Sequence, residues 1–181
     1  MDAAAFLLMY VVMPVWVLAG LADYACHRAA RIENNAGTPE SLLHLLQFGL
    51  VGIPVMLALF LEITAGFFLL AALFLLLHHL TAYIDVRYAD GTRGVAPLEQ
   101  MVHSFLELAP LTAFLLLAAL YWPQLLSLFS DQADCGLRLK QEPLPAAYVA
   151  GLLGATLLLN AVPYLEELTR TLRVRSKSRS G

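Results

Sequence analysis

The chain has 181 residues, of which 60% are hydrophobic and only 14% charged, with a net charge of -3 and a mean hydropathy of +0.71. Soluble domains carry about 25% charged residues, so an ordinary soluble globule is excluded, and intrinsic disorder, which needs low hydrophobicity, more firmly still. Two cysteines are too few for a disulfide scaffold or a four-thiolate zinc site.

In chain order, five apolar stretches reach the ~20 residues that a helix needs to cross a hydrocarbon core of ~30 Å. They cover about residues 3–22, 42–61, 63–84, 101–122 and 144–165. Lipid offers no water to backbone polar groups, and Leu/Ala-rich runs of this length satisfy them as helices. The first stretch carries Asp2 and no Lys or Arg ahead of it and outruns a signal-peptide core, so it is expected to be a retained span. Spans two and three are separated by little more than Glu62, which predicts a tight hairpin with Glu62 solvated at its tip. Pro14, Pro54 and Pro110 fall inside spans, where neighbouring helices tolerate a kink.

Lys and Arg set the expected orientation. Arg28 and Arg31 follow span one, Arg87 and Arg93 follow span three, and Arg170, Arg173, Arg175, Lys177 and Arg179 follow span five. These nine share one side of a five-span alternation, and only Arg138 and Lys140 take the other. The positive-inside rule then predicts a multi-pass protein of a bacterial inner membrane, N-terminus outside and C-terminus cytoplasmic. The basic tail 170–181 suits anionic lipid head groups better than nucleic acid, since its charges abut a span. Cys26 and Cys135 fall on opposite sides and cannot pair within one chain. Tyr121 and Trp122 suit an interfacial belt, and small residues four apart, Ala146/Ala150/Gly154 and Ala147/Gly151/Ala155, offer span five as a face for a homo-oligomer.

The five histidines carry the chemical signal. Asp23 precedes His27 by four residues, Glu40 precedes His44, and Glu99 precedes His103. Residues four apart on a helix share a face, about one turn apart, so each pair is a two-pronged ligand set. His78 and Asp85 are two turns apart on span three, with His79 turned away from that face, and Glu107 extends the stripe of span four one turn deeper. The alternation brings all four sets to the cytoplasmic ends of consecutive helices. The expected fold is therefore an all-α integral membrane domain, residues 1–169, whose first four helices form an antiparallel bundle around a polar site at that end.

Ionisable groups at membrane depth are costly unless paired, hydrated or coordinated, and clustered carboxylates also repel one another. Divalent cations remove both penalties. The expected ligands are Asp23, His27, Glu40, His44, His78, His79, Asp85, Glu99 and His103, with His79 a candidate for supporting a ligand rather than binding, and Glu107 a further ligand or proton donor. So many ligands exceed the needs of one ion, which predicts two metals. Mixed oxygen and imidazole donors suit iron first, with zinc or manganese as alternatives.

The arrangement is analogous to carboxylate-bridged di-iron helical bundles, although those use Glu-x-x-His and each pair here has one more intervening residue. The analogy implies oxygen- or peroxide-dependent oxidation of a lipophilic substrate such as a lipid or quinone, with a separate electron donor. Tyr24 and Tyr83 lie close in sequence to ligands and are candidate hydrogen-bond or electron donors. The alternatives are a di-zinc hydrolase of lipid esters or phosphates, a haem b bundle with axial histidines, which leaves the neighbouring carboxylates without a reason, and a metal carrier without catalysis.

Overall fold

The computed structural model describes residues 2–131 and 133–180, with side chains as far as Lys177, so Arg179 of the basic tail lies outside the described side chains. Five long helices form: α1 (Ala3–Ala30), α2 (Gly37–Phe60), α3 (Ala65–Thr92), α4 (Pro97–Leu120) and, after the short α5 (Trp122–Ser127), α6 (Ala146–Lys177). All five are long and apolar enough to cross a membrane. Among the described residues the extended pairing is a single bridge, Leu61 with Leu139.

The helices outrun the apolar windows at one end. A hydropathy window closes at the first charges, whereas helical hydrogen bonding continues through any run of adequate helix formers. Thus α1 carries Asp23 and His27 in its last turns, and α2 opens with Glu40 in its first. The last helix runs unbroken past residue 165, and helical backbone continues to Ser180. At 1.5 Å per residue the 32 residues of α6 reach ~48 Å, well beyond a hydrocarbon core of ~30 Å.

Prolines mark the departures from regular helix. Wide turns at Leu8–Val12 and Leu157–Ala161 are closed by Met13 N–H to Leu8 O and Val162 N–H to Leu157 O. Each ends directly before the residue preceding a proline, Pro14 or Pro163. A proline has no N–H to donate and its ring crowds the carbonyl four residues back, and a wider turn relieves both. Pro54 and Pro110, by contrast, sit inside helices without such a turn.

Two apolar clusters lie away from the polar end. Met13, Trp16, Val17, Val51, Leu59, Ala109 and Leu152 join α1, α2, α4 and α6, and Ile63, Phe67, Phe68, Ala71 and Ala118 fill the α3–α4 contact near the hairpin. Outward faces are apolar too: Leu18, Leu69, Leu76, Leu80, Leu115 and Leu158 are all more than half exposed, as helices bathed in lipid require. Gly151 and Gly154 of the small-residue stripe of the last helix meet open space, while Ala155 packs against the first cluster.

Residues 134–141 strap across the α2–α3 hairpin. Glu62 N–H donates to Arg138 O at 2.9 Å, Lys140 N–H to Phe60 O at 2.8 Å and Thr64 Oγ1 to Gly136 O at 3.1 Å. A side chain at Gly66 would bring its Cβ to 2.5 Å from the Cys135 carbonyl, so the crossing needs glycine there. The tip is less open than expected, because Glu62 accepts a hydrogen bond from Gln141 N–H at 2.8 Å.

Candidate metal centre

At the other end of the molecule, polar side chains converge from five helices. Helical spacing stacks Asp23 over His27 on α1, Glu40 over His44 on α2, and Glu99 over His103 on α4. Asp85 comes from α3, and Tyr164 and Glu167 come from α6. Every one of these residues is at most 7% exposed, and His27 and Glu167 are fully enclosed.

Glu167 links the two central histidines. Its Oε2 lies 3.1 Å from His27 Nδ1 and its Oε1 lies 2.7 Å from His44 Nδ1, and the two rings stack at 4.1 Å with an 8° angle. A carboxylate only accepts, so both Nδ1 atoms carry the proton and donate to it. In the neutral tautomers each Nε2 then bears a lone pair. His27 Nε2 sits 3.4 Å from Asp23 Oδ1 and 3.4 Å from Glu99 Oε1; His44 Nε2 sits 3.3 Å from Asp85 Oδ2 and 3.9 Å from Glu40 Oε1. His103 Nε2 is 2.9 Å from Asp23 Oδ1. Among the described residues, Asp23 Oδ1, His27 Nε2 and His44 Nε2 have no hydrogen-bond partner of normal geometry.

Lone pairs facing carboxylate oxygens repel unless a cation or proton lies between them. Two groups have donor atoms close enough to share one ion: Asp23, His27 and His103, and His27, Glu40 and His44. Two atoms each ~2.1 Å from an ion stand roughly 3.0 Å apart at a right angle and roughly 3.4 Å apart at the tetrahedral angle. The 2.9 Å and 3.4 Å separations around Asp23 Oδ1 match that span.

Arg93 supplies one cation already. From the turn after α3 its Nε is 3.2 Å from both oxygens of Glu40, Nη2 donates to Glu40 Oε1 at 2.6 Å, and Nη1 donates to Glu99 Oε2 at 3.1 Å, with Nη2 also bonded to Glu99 Oε1. Burial acts against the guanidinium charge, but the bonds to Glu99 and Glu40 outweigh it and raise its pKa further. Five carboxylates against one guanidinium leave four negative charges. Protonating His27, His44 and His103 would cover three of them, and two divalent ions would cover all four.

Five expected residues stand outside these two groups: His78, His79, Asp85, Glu99 and Glu107. His79 Nδ1 donates to the Leu75 carbonyl of its own helix at 2.8 Å, the bond that its rotation off the His78 face makes available. His78 is buried, beside the backbone of Gln47 and Leu106, with no hydrogen bond of normal geometry at either ring nitrogen. Glu107 is half-buried and lines a small cavity with His44, Asp85 and His103 without entering either ligand group. Asp85 is shared, since Gln47 Nε2 donates to its Oδ2 at 2.9 Å. Neither Tyr24, whose hydroxyl donates to Glu166 at 2.8 Å, nor the exposed Tyr83 contacts the cluster.

The expectation that the first four helices enclose the site is corrected by α6. That helix contributes Glu167, while Tyr164 OH lies 3.5 Å from Asp23 Oδ2 and 3.3 Å from Gly20 O. The signal was an acid, Glu167, just beyond span five, at the membrane face where the alternation already gathered the other carboxylates. Arg93, read from sequence as a topology charge, is likewise part of the cluster. Compared with protein families, with curated proteins and with solved structures, the chain matches none.

Proposed function

We propose that the chain is a membrane-integral di-metal oxidoreductase, with iron in the site, that uses dioxygen or peroxide to oxidise a lipophilic molecule. One observation carries this reading: the buried Nε2 atoms of His27 and His44 stand 3.3–3.4 Å from carboxylate oxygens of Asp23, Glu99 and Asp85 without a hydrogen bond of normal geometry, in a cluster where five carboxylates share one guanidinium. Divalent ions resolve that repulsion and the residual charge together. Oxygen and imidazole donors without thiolates suit iron, and a redox-active ion would supply oxygen activation that no side chain here provides. The chain's own residues orient the donors: Glu167 fixes both tautomers, Arg93 holds Glu40 and Glu99, and Gln47 holds Asp85. Glu107, in the cavity beside His103, is the proposed proton donor.

Oxidation rather than zinc-dependent hydrolysis is favoured by the surroundings. A larger cavity of about 190 Å³, lined almost wholly by apolar side chains, shares Trp16, Val51 and His78 with the small cavity beside the cluster. Ester or phosphate hydrolysis needs an attacking water and a polar leaving group, which that lining does not serve. A haem held by two of His44, His78, His79 and His103 is disfavoured because the His44 ring stacks on His27 at 4.1 Å and His79 Nδ1 is bonded to the Leu75 carbonyl of its own helix.

The test is elemental analysis of the detergent-purified full chain beside His27→Ala, the histidine common to both ligand groups. Two equivalents of iron in the wild type, falling below a fifth of that in the variant, are expected. Two of zinc would move the reading to hydrolysis, and unchanged metal in H27A would overturn the proposed ligands.

A further inference from the structure

His78 poses a separate question, because it is 3% exposed, uses neither ring nitrogen in a hydrogen bond of normal geometry, and belongs to neither ligand group. A buried imidazole without a well-formed hydrogen bond leaves polar atoms that a ligand can satisfy. His78 also lines both the larger, apolar cavity and the smaller one beside the cluster, as Trp16 and Val51 do. The apolar cavity runs beside α3 from Phe67 to His78, eleven residues or ~16 Å of helix, with Lys140 and Tyr121 among its lining at the strap end. A lining of that length along one helix would accommodate one extended chain.

We propose that this cavity binds a single-chain lipid with an uncharged hydrogen-bonding head, an alcohol, aldehyde or quinone carbonyl, and that His78 is the partner of that head. The site's polar end decides the class. An ionised carboxylate or phosphate would lose its hydration among Met13, Trp16, Val51 and Phe114, with no Lys or Arg in the lining at the His78 end to replace it. Lys140 lies at the far end, and its ammonium already donates to the Leu61 carbonyl at 2.7 Å. A neutral head satisfies the imidazole and meets no such penalty, whichever ring nitrogen carries the proton. In this orientation the head faces Asp85, His103 and Glu107 across His78, and the tail fills the slot towards the strap. The inference rests on the reading of the protein as one that acts on a lipophilic molecule, and it names the class and the residue that selects it.

Trp16 lines both cavities, so it reports occupancy. With Trp122→Phe removing the second tryptophan, full-length protein is titrated in nanodiscs with a long-chain alcohol brominated on its tail, with the matching brominated alkane, and with the matching fatty acid. Saturable quenching by the alcohol is expected, at least tenfold tighter than by the alkane or the acid. His78→Leu is expected to bring the alcohol's affinity down to the alkane's, and His78→Gln, which keeps a hydrogen-bonding group, to stay within about threefold of wild type. Equal affinities for alcohol and alkane in the wild type overturn the proposal even where H78L does not fold, as does an unchanged alcohol affinity in a folded H78L. Tighter binding of the acid would assign the selection to Lys140. Running the titration on metal-stripped protein separates the two readings: alcohol binding in a chain that never takes up metal leaves the lipid site standing and removes the oxidoreductase, and a metal-loaded chain indifferent to the alcohol does the reverse.

Discussion

Arg93 shows how one side chain reconciles a cluster that would otherwise repel itself. Its position depends on the turn, where Gly94 adopts φ +72, a backbone conformation that side chains disfavour. From there the 4%-exposed guanidinium forks onto Glu40 from α2 and Glu99 from α4. Replacing it leaves two buried carboxylates without their cation, so Arg93→Met is expected to cost about 3–5 kcal/mol of stability. Arg93→Lys should fall between, since a point charge cannot fork onto both acids. Thermal unfolding in detergent measures both; an R93M midpoint equal to wild type would remove Arg93 from the charge balance. Glu167 plays the complementary part, holding two imidazoles by Nδ1 so that Nε2 points inward. Outer hydrogen bonds of this kind are worth about 10–100-fold in metal affinity. Glu167→Gln is therefore expected to weaken iron binding by that factor while leaving the helical circular dichroism unchanged, and equal affinity would reduce Glu167 to a packing role.

The helices differ in how plainly their sequences announce them. On α1, α2 and α4 an acid four residues before a histidine is legible because helical spacing alone puts the pair on one face, whatever surrounds it. On α6 no such pair exists: Glu167 acts on histidines 123 and 140 residues away in sequence, a relation that only tertiary packing creates. The extra turns of α1 beyond residue 22 were hidden for a different reason, since Asp23 and Arg28 close an apolar window without interrupting the helix. His79, expected off the His78 face, instead has its own Leu75 carbonyl one turn back and within reach. What seats α6 is Asn160 in its wide turn, a 2%-exposed amide donating to the Val17 carbonyl of α1 at 3.0 Å. Interhelical bonds in membranes average only about 0.6 kcal/mol and rarely exceed about 1.7 kcal/mol. Asn160→Leu should thus cost little stability, yet by loosening the seat of Glu167 two turns on it should lower iron affinity several-fold. Isothermal titration of the metal against the apo-variant measures this, and an unaltered affinity would mean that Tyr164 and the α2 contacts hold α6 without help.

At the scale of the whole molecule, the polar cluster and the strap occupy opposite ends, and the two cysteines mark them. Cys26 lies on α1 between Asp23 and His27 and is half-buried; Cys135 lies in the strap and is exposed. Nine of the eleven Lys and Arg residues lie in segments at the cluster's end, and on the positive-inside rule we propose that this end is cytoplasmic. Arg28 and Arg170 pair with Glu166 and Glu33 close to the membrane ends of α1 and α6. A bulky, membrane-impermeant maleimide applied to intact bacterial spheroplasts expressing the chain should therefore label Cys135 and spare Cys26, and Cys135→Ser should abolish the signal. Permeabilising the cells should add Cys26 only slowly, since its thiol is partly covered by its neighbours. Labelling of Cys26 from outside would invert the molecule and put the polar cluster at the outer face. The lipid slot, whose lining runs from the strap towards the cluster, would then deliver its head group to the opposite leaflet from the one the charges predict.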